Sequence, residues 1–96
     1  MTSRVVDVAS LAGDKLTAFL LDDSLTDCGI AVITPQSNGV QLVAGSLYDT
    51  DNMHMVVSPA SLDPRTRYIV SREKITDIRL KKDSIGSNSF VSVDYF

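Results

Sequence analysis

From position 28 onward the apolar residues come in short β-branched runs separated by turn-forming residues. CGIAVIT (28–34) is followed by PQSNG, where Pro, Asn and Gly supply turn chemistry, and then by VQLVAGSLYDT (40–50). This order predicts a hairpin joining the two runs. DNM (51–53) makes the next break, and HMVVSPASL (54–62) reads as a third strand in which Pro59 implies an edge or a bulge. DPRTR (63–67) is a polar loop opening on Asp-Pro. A fourth strand centres on Tyr68 to Val70, SREK is a tight polar break, and a fifth strand carries Ile75, Ile78 and Leu80. In the tail, Phe90, Ser92, Asp94 and Phe96 alternate against Val91, Val93 and Tyr95, which predicts one more strand.

Ahead of these runs the pattern is mixed. Leu16, Phe19 and Leu20 follow helical spacing, while Leu16, Ala18 and Leu20 fit a strand equally well. Asp14 stands where a cap would start a helix, so a short N-terminal helix is expected within a segment, 1–27, that is helical or extended. Five strands in the 55 residues from 28 to 82 cannot bury both faces as a flat sheet. A strongly bent antiparallel sheet closing into a small barrel removes the exposed edges and encloses one core. The expectation is a mostly β, single-domain chain: 1–27 leading in, 28–82 as barrel core, and 83–96 as a tail with a possible extra strand.

Composition narrows the picture. With 96 residues, 44% hydrophobic and 22% charged, the chain is neither disordered in character nor able to span a membrane. A domain of this size buries only about 60–65% of its unfolded surface, so self-association is expected to supplement a thin core. A single thiol, Cys28, and a single imidazole, His54, exclude an internal disulfide framework and a zinc ligand set, and no other metal or cofactor is implied. The first residues, MTSRVVDVASLAGD, lack the pattern of a secretory signal, which predicts a cytoplasmic protein.

Charge is distributed unevenly within a formal total of −3. Residues 1–64 hold two bases against eight acids, whereas 65–82 hold seven bases (Arg65, Arg67, Arg72, Lys74, Arg79, Lys81, Lys82) against Glu73 and Asp77. Global acidity argues against nonspecific coating of duplex DNA, which scales with phosphates neutralised. The basic stretch is either a local cationic rim or the solvated outer face of edge strands.

Two stretches carry a resemblance. Gly45, Leu47, Asp51, Met53 and His54 in AGSLYDTDNMH resemble the first motif of the Sm/LSm/Hfq superfamily, a bent strand leading into a turn. Ile69, Val70, Ser71, Arg72, Ile75 and Ile78 in YIVSREKITDIRL resemble the second, an apolar pair, then Arg-Gly, which is Ser71-Arg72 here, then two Ile or Val three apart. The likeness covers roughly residues 28–82; either KLTAFLLDD, with an inserted hairpin before Gly45, or GIAVIT, with no insertion, can supply the first strand, and GIAVIT is preferred. It implies a five-stranded Sm-like barrel that pairs edge to edge in a homo-oligomeric ring of about five to seven subunits. It also implies that the turns Asp51-Asn52-Met53-His54 and Ser71-Arg72-Glu73-Lys74 face a shared pore. There His54 or Met53 would stack on a base, Asn52 would bond its edge, and Arg72 and Lys74, with Ser71 beside them, would hold base or phosphate of single-stranded RNA.

Plainer roles compete at each position. His54 is also a lone imidazole in a polar turn, Met53 and Met55 are expected in the core, and Asp51 and Asn52 suit turn geometry by bonding nearby backbone. Catalysis has no support: Asp22-Asp23 reads as a turn or cap, Cys28 as a small buried hydrophobe, and no Gly-rich phosphate loop is present. The expectation is therefore a ring-forming, RNA-binding protein of RNA metabolism with no enzymatic role. The rival is a structural ring or scaffold without nucleic acid, favoured by the absent Arg-Gly pair and a pI near 4.8. A third reading is a ring that captures a small nucleotide at its subunit contacts.

Overall fold

In the computed structural model, residues 2–10, 29–82 and 90–96 are described. They form nine strands: β1 Thr2–Asp7, β2 Ile30–Pro35, β3 Val40–Ala44, β4 Ser46–Asp49, β5 His54–Val57, β6 Ala60–Leu62, β7 Tyr68–Ser71, β8 Arg79–Lys82 and β9 Phe90–Tyr95. Short 3-10 helices occupy Val8–Ser10 and Arg72–Asp77. One antiparallel sheet has the order β1-β9-β2-β7-β4-β5, and a second the order β6-β3-β8.

Alternation along the strands builds the core. Ala31, Ile33 and Pro35 of β2 point inward beside Val91, Val93 and Tyr95 of β9, their register partners, while Val32 and Thr34 lie opposite Asp94 and Ser92 on the outer face. Val6 and Val8 bring the N-terminal strand onto the same core, and Leu42, Leu47, Leu80, Ile78 and Tyr68 complete it from the other elements.

The two sheets are joined by one long hairpin bent in both arms. Its rising arm is β3 and β4, broken at Gly45; its returning arm is β5 and β6, broken at Ser58 and Pro59. β4 pairs with β5 in the large sheet, and β3 with β6 in the small one. Gly45 is needed at the bend. Its φ is +87°, and a Cβ there would lie 2.7 Å from Ile78 Cδ1 and 3.0 Å from the Asp77 carbonyl oxygen.

Several expectations change. GIAVIT and VQLVAGSLYDT do form strands, but β2 and β3 do not pair as a hairpin: β2 lies between β7 and β9, and β3 between β6 and β8. The PQSNG turn instead carries the chain from one sheet into the other. The stretch 28–82 holds seven strands rather than five, because each arm of the hairpin is cut in two. The fifth expected strand is shorter than predicted. Ile75 falls in the 3-10 helix and Ile78 precedes β8, since the chain must turn over Gly45 before it can pair with β3. Among the described residues the sheets do not close into a barrel. The extra tail strand is β9, inserted between β1 and β2. Residues 2–7 are a strand; the expected N-terminal helix, Cys28 and Asp22-Asp23 fall outside the described residues.

Replacing Gly45 by Ala is expected to destabilise the protein by ~1–3 kcal/mol, combining backbone strain with the clash on Ile78. Gly29→Ala, with no atom within 4 Å of its added methyl, should leave stability unchanged or slightly raised. Urea unfolding midpoints of the two variants measure the difference.

Candidate functional site

The tip of the bent hairpin is organised by a buried carboxylate. Asp49 ends β4 facing inward, and its Oδ1 accepts hydrogen bonds from the backbone N–H of Asp51 at 2.9 Å and of Asn52 at 3.1 Å, while Oδ2 accepts from the Asn52 amide at 2.8 Å. The Asn52 side chain holds this carboxyl below its usual 3.8; burial opposes the shift, while the two backbone N–H groups and the attraction of His54 add to it. With the turn pinned from below, Met53 takes a left-handed φ of 57° and stands 77% exposed.

A second set of bonds ties this tip to the 63–67 loop. Thr50 donates to the Arg67 carbonyl from its backbone N at 3.1 Å and from Oγ1 at 2.9 Å. Tyr68 is the register partner of Asp49, and its buried hydroxyl accepts from the Asp63 N–H at 2.8 Å. Burial pushes the Tyr68 phenol upward, with the Asp63 N–H working against it. These polar groups are engaged with the chain's own backbone, so the tip is a braced presenting surface.

The outer face of the large sheet carries the other feature. Ile30, Ser46, Tyr48, Met55, Ile69, Val70, Ser71 and Lys74 line a shallow, mainly apolar groove of about 440 Å³. Register explains its make-up. Val32 lies opposite Ile69, Ile69 opposite Tyr48, and Tyr48 opposite Met55, so one row crosses four strands with apolar or aromatic side chains on the solvent side. In the next row Ile30 faces Ser71, and Ser46 faces Val57. Ile30, Met55 and Val57 are exposed.

The residues singled out from sequence fall into two groups that the fold holds apart. Asn52, Met53 and His54 sit on the hairpin tip beside Tyr68. Ser71 lies at the far end of β7, Arg72 opens the 3-10 helix that follows, and Lys74 borders the groove from that helix. Ser71 is three positions from Tyr68, so the length of β7, roughly 10 Å, separates the two turns. Within one chain they flank opposite ends of the β4–β7 pair and do not meet at one opening. Asn52 serves the turn through the Asp49 carboxylate rather than through nearby backbone. The exposed ring of His54 lies with Nδ1 3.1 Å from the Met55 carbonyl, a contact that requires the proton on Nδ1. Met53 and Met55, expected in the core, are exposed, because the first rides on the turn and the second points outward from β5. The side chain of Arg72 lies outside what is described.

Sequence reasoning missed Asp49, Tyr48 and the outer apolar row. Strict alternation from Leu47 would have found them, since Leu47 and Asp49 must share one face and Tyr48 the other. No protein-family model, curated protein or solved structure matches the chain. Among the described residues no group of three or more His, Cys, Asp or Glu is placed to hold a metal ion. Among them, too, no helix is long and apolar enough to cross a membrane.

Because the Asp49 carboxyl is held lower in the folded chain than in the unfolded one, its contribution to stability is fully present above 3.8 and is lost as pH falls through the lower folded value. Stability followed from about pH 6 to pH 2 should drop in that acid window. Asn52→Ala should shrink the drop by moving the folded carboxyl back toward its ordinary value. Carboxyl-carbon NMR of Asp49 reports the titration directly.

Proposed function

We propose that this chain is a self-associating β module that acts as a structural scaffold, binding through its surface. The observation that carries this reading is the row of Val32, Ile69, Tyr48 and Met55, bordered by Ile30 and Val57, on the solvent side of the large sheet. Half-buried Val32, Ile69 and Tyr48 run into exposed Met55, Ile30 and Val57, and a continuous apolar stretch that reaches solvent on a small domain marks an interaction site. The chemistry of the remaining groups agrees with it. Asp49, the buried carboxylate of the described residues, is taken up by the backbone of its own turn, and Tyr68 by the 63–67 loop.

The Sm-like reading, a ring that binds single-stranded RNA, keeps one specific support. Lys74 and Ser71 line the same groove as Tyr48, and a groove that combines a cation with an aromatic ring suits an unstacked base. Against it stand the acidic composition and the separation of the two turns. In this reading Asn52, Met53 and His54 would engage RNA away from Ser71 and Lys74, at a second point on the subunit.

Light scattering across a concentration series, run beside fluorescence anisotropy with short oligo-U and oligo-A at two salt concentrations, separates the readings. The scaffold reading expects a mass that is a multiple of the 10.4 kDa chain and no saturable oligonucleotide binding. Saturable binding that weakens with salt and is lost in both Lys74→Ala and Tyr48→Ala would replace it with the RNA reading. A mass of 10.4 kDa at every concentration would remove the scaffold.

A further inference from the structure

We infer that β5 is the joint of this assembly, pairing antiparallel with β5 of a second copy about a two-fold axis through Val56. The inference rests on the scaffold reading and names its partner.

The described residues leave four strand edges unpaired within the sheets, on β1 and β5 of the large sheet and on β6 and β8 of the small one. Three are blunted in the ways proteins use against edge-to-edge pairing. β1 carries Arg4 and Asp7, β8 carries Arg79, Lys81 and Lys82, and β6 follows directly on Pro59. β5, His-Met-Val-Val, has neither an acid, a Lys or Arg, nor a proline, and Met55 and Val57 are 54% and 65% exposed.

Hydrogen-bond parity makes the edge usable. The Ser58 N–H bonds to the Gly45 carbonyl at 3.2 Å, next in register after Val57 opposite Ser46. In an antiparallel pair such bonds alternate. The backbone groups of Val56 and His54 are therefore turned to β4, and those of Met55 and Val57 to the open side. A partner strand centred on Val56 sets Met55 against Val57 of the second copy and Val57 against its Met55, which satisfies all four outward groups. The exposed His54 ring, now against the Met55 carbonyl, turns aside as that carbonyl gains a strand partner.

The occupant is a second copy because a two-fold joint sets each side chain against its own kind or a near neighbour. On β8 that would oppose cation to cation, whereas on β5 it opposes Met to Val and Val to Val, with His54 against Ser58 at each end. The pairing also carries the outer row across the axis, so that Tyr48 and Met55 of one copy run on into Val57 and then Ser46 of the other. An isologous joint of this kind closes at two subunits, whereas a ring needs two different edges to meet.

Two variants test the joint. In Val57→Pro the lost N–H is one that faces away from β4, so the fold keeps its ladder while the joint loses two of its four bonds. Sedimentation equilibrium should find the wild type at twice the chain mass and Val57→Pro at the single mass, with matching circular dichroism. In a Cys28→Ser background, Val56→Cys places two thiols directly opposite across the axis, with Cα atoms about 4.5 Å apart, within disulfide reach. Mild oxidation should cross-link it, while Val5→Cys on the opposite edge should stay uncrosslinked. A wild-type dimer that persists in Val57→Pro and does not cross-link through Val56→Cys overturns the β5 joint and leaves the scaffold reading standing. A wild-type mass of five to seven chains also overturns this joint, and a monomeric wild type overturns both.

Discussion

One strand has to serve two sheets, and the whole arrangement depends on the point where it turns. With so few residues, a single sheet would leave one face of every strand in water. The hairpin of β3–β4 and β5–β6 avoids this by bending over on itself, so its two halves face a common interior filled by Leu42, Leu47, Leu80 and Tyr68. Gly45 permits the bend because its backbone adopts a left-handed φ in a space that Ile78 and the Asp77 carbonyl already occupy. The 3-10 helix 72–77 lies over that corner and delivers β8 to β3. Corner, helix and small sheet thus stand or fall together.

What could be read from sequence followed from how local the determining physics was. β-branched runs bounded by Pro, Asn and Gly marked β2, β3–β4, β7 and β9 near their observed limits, because strand propensity and turn chemistry act over a few residues. Pairing partners were harder. PQSNG has the composition of a hairpin turn, yet it links strands in different sheets, because β9, arriving from far along the chain, takes the edge of β2 that a hairpin would have used. Nothing between residues 30 and 44 reports that competition. Ile75 and Ile78 have the apolar character of strand residues, but the corner at Gly45 places Ile75 in a helical turn and Ile78 between that turn and β8.

The candidate site was legible in part for a related reason. The turn residues at 51–54 and the basic stretch near 72–74 were found by type, and both lie at the surface. Their relation was not, since β7 interposes its full length between them. Exposed Met53 and Met55 were assigned to the core because hydrophobicity alone does not tell which face of a strand is wet. Asp49 is, by composition, just one of the eight acids of residues 1–64. Its partner, the Asn52 amide, is three residues away, so an Asx-type turn was within reach of the sequence had the parity from Leu47 been followed through.

The threading of β9 between β1 and β2 has a bearing on how the protein is made. Thr2 pairs with Tyr95 and Asp7 with Phe90, so the strand that joins β1 to the rest of the large sheet is contributed by the last described segment to leave the ribosome. Until Tyr95 has emerged, β1 and β2 both present a naked margin to their surroundings, and the most remote contacts in the chain are also the ones that join its two ends. Domains dominated by such distant pairings acquire their structure slowly. The newborn polypeptide therefore completes the large sheet only after synthesis of this region, and through that interval β1 and β2 wait for their common partner.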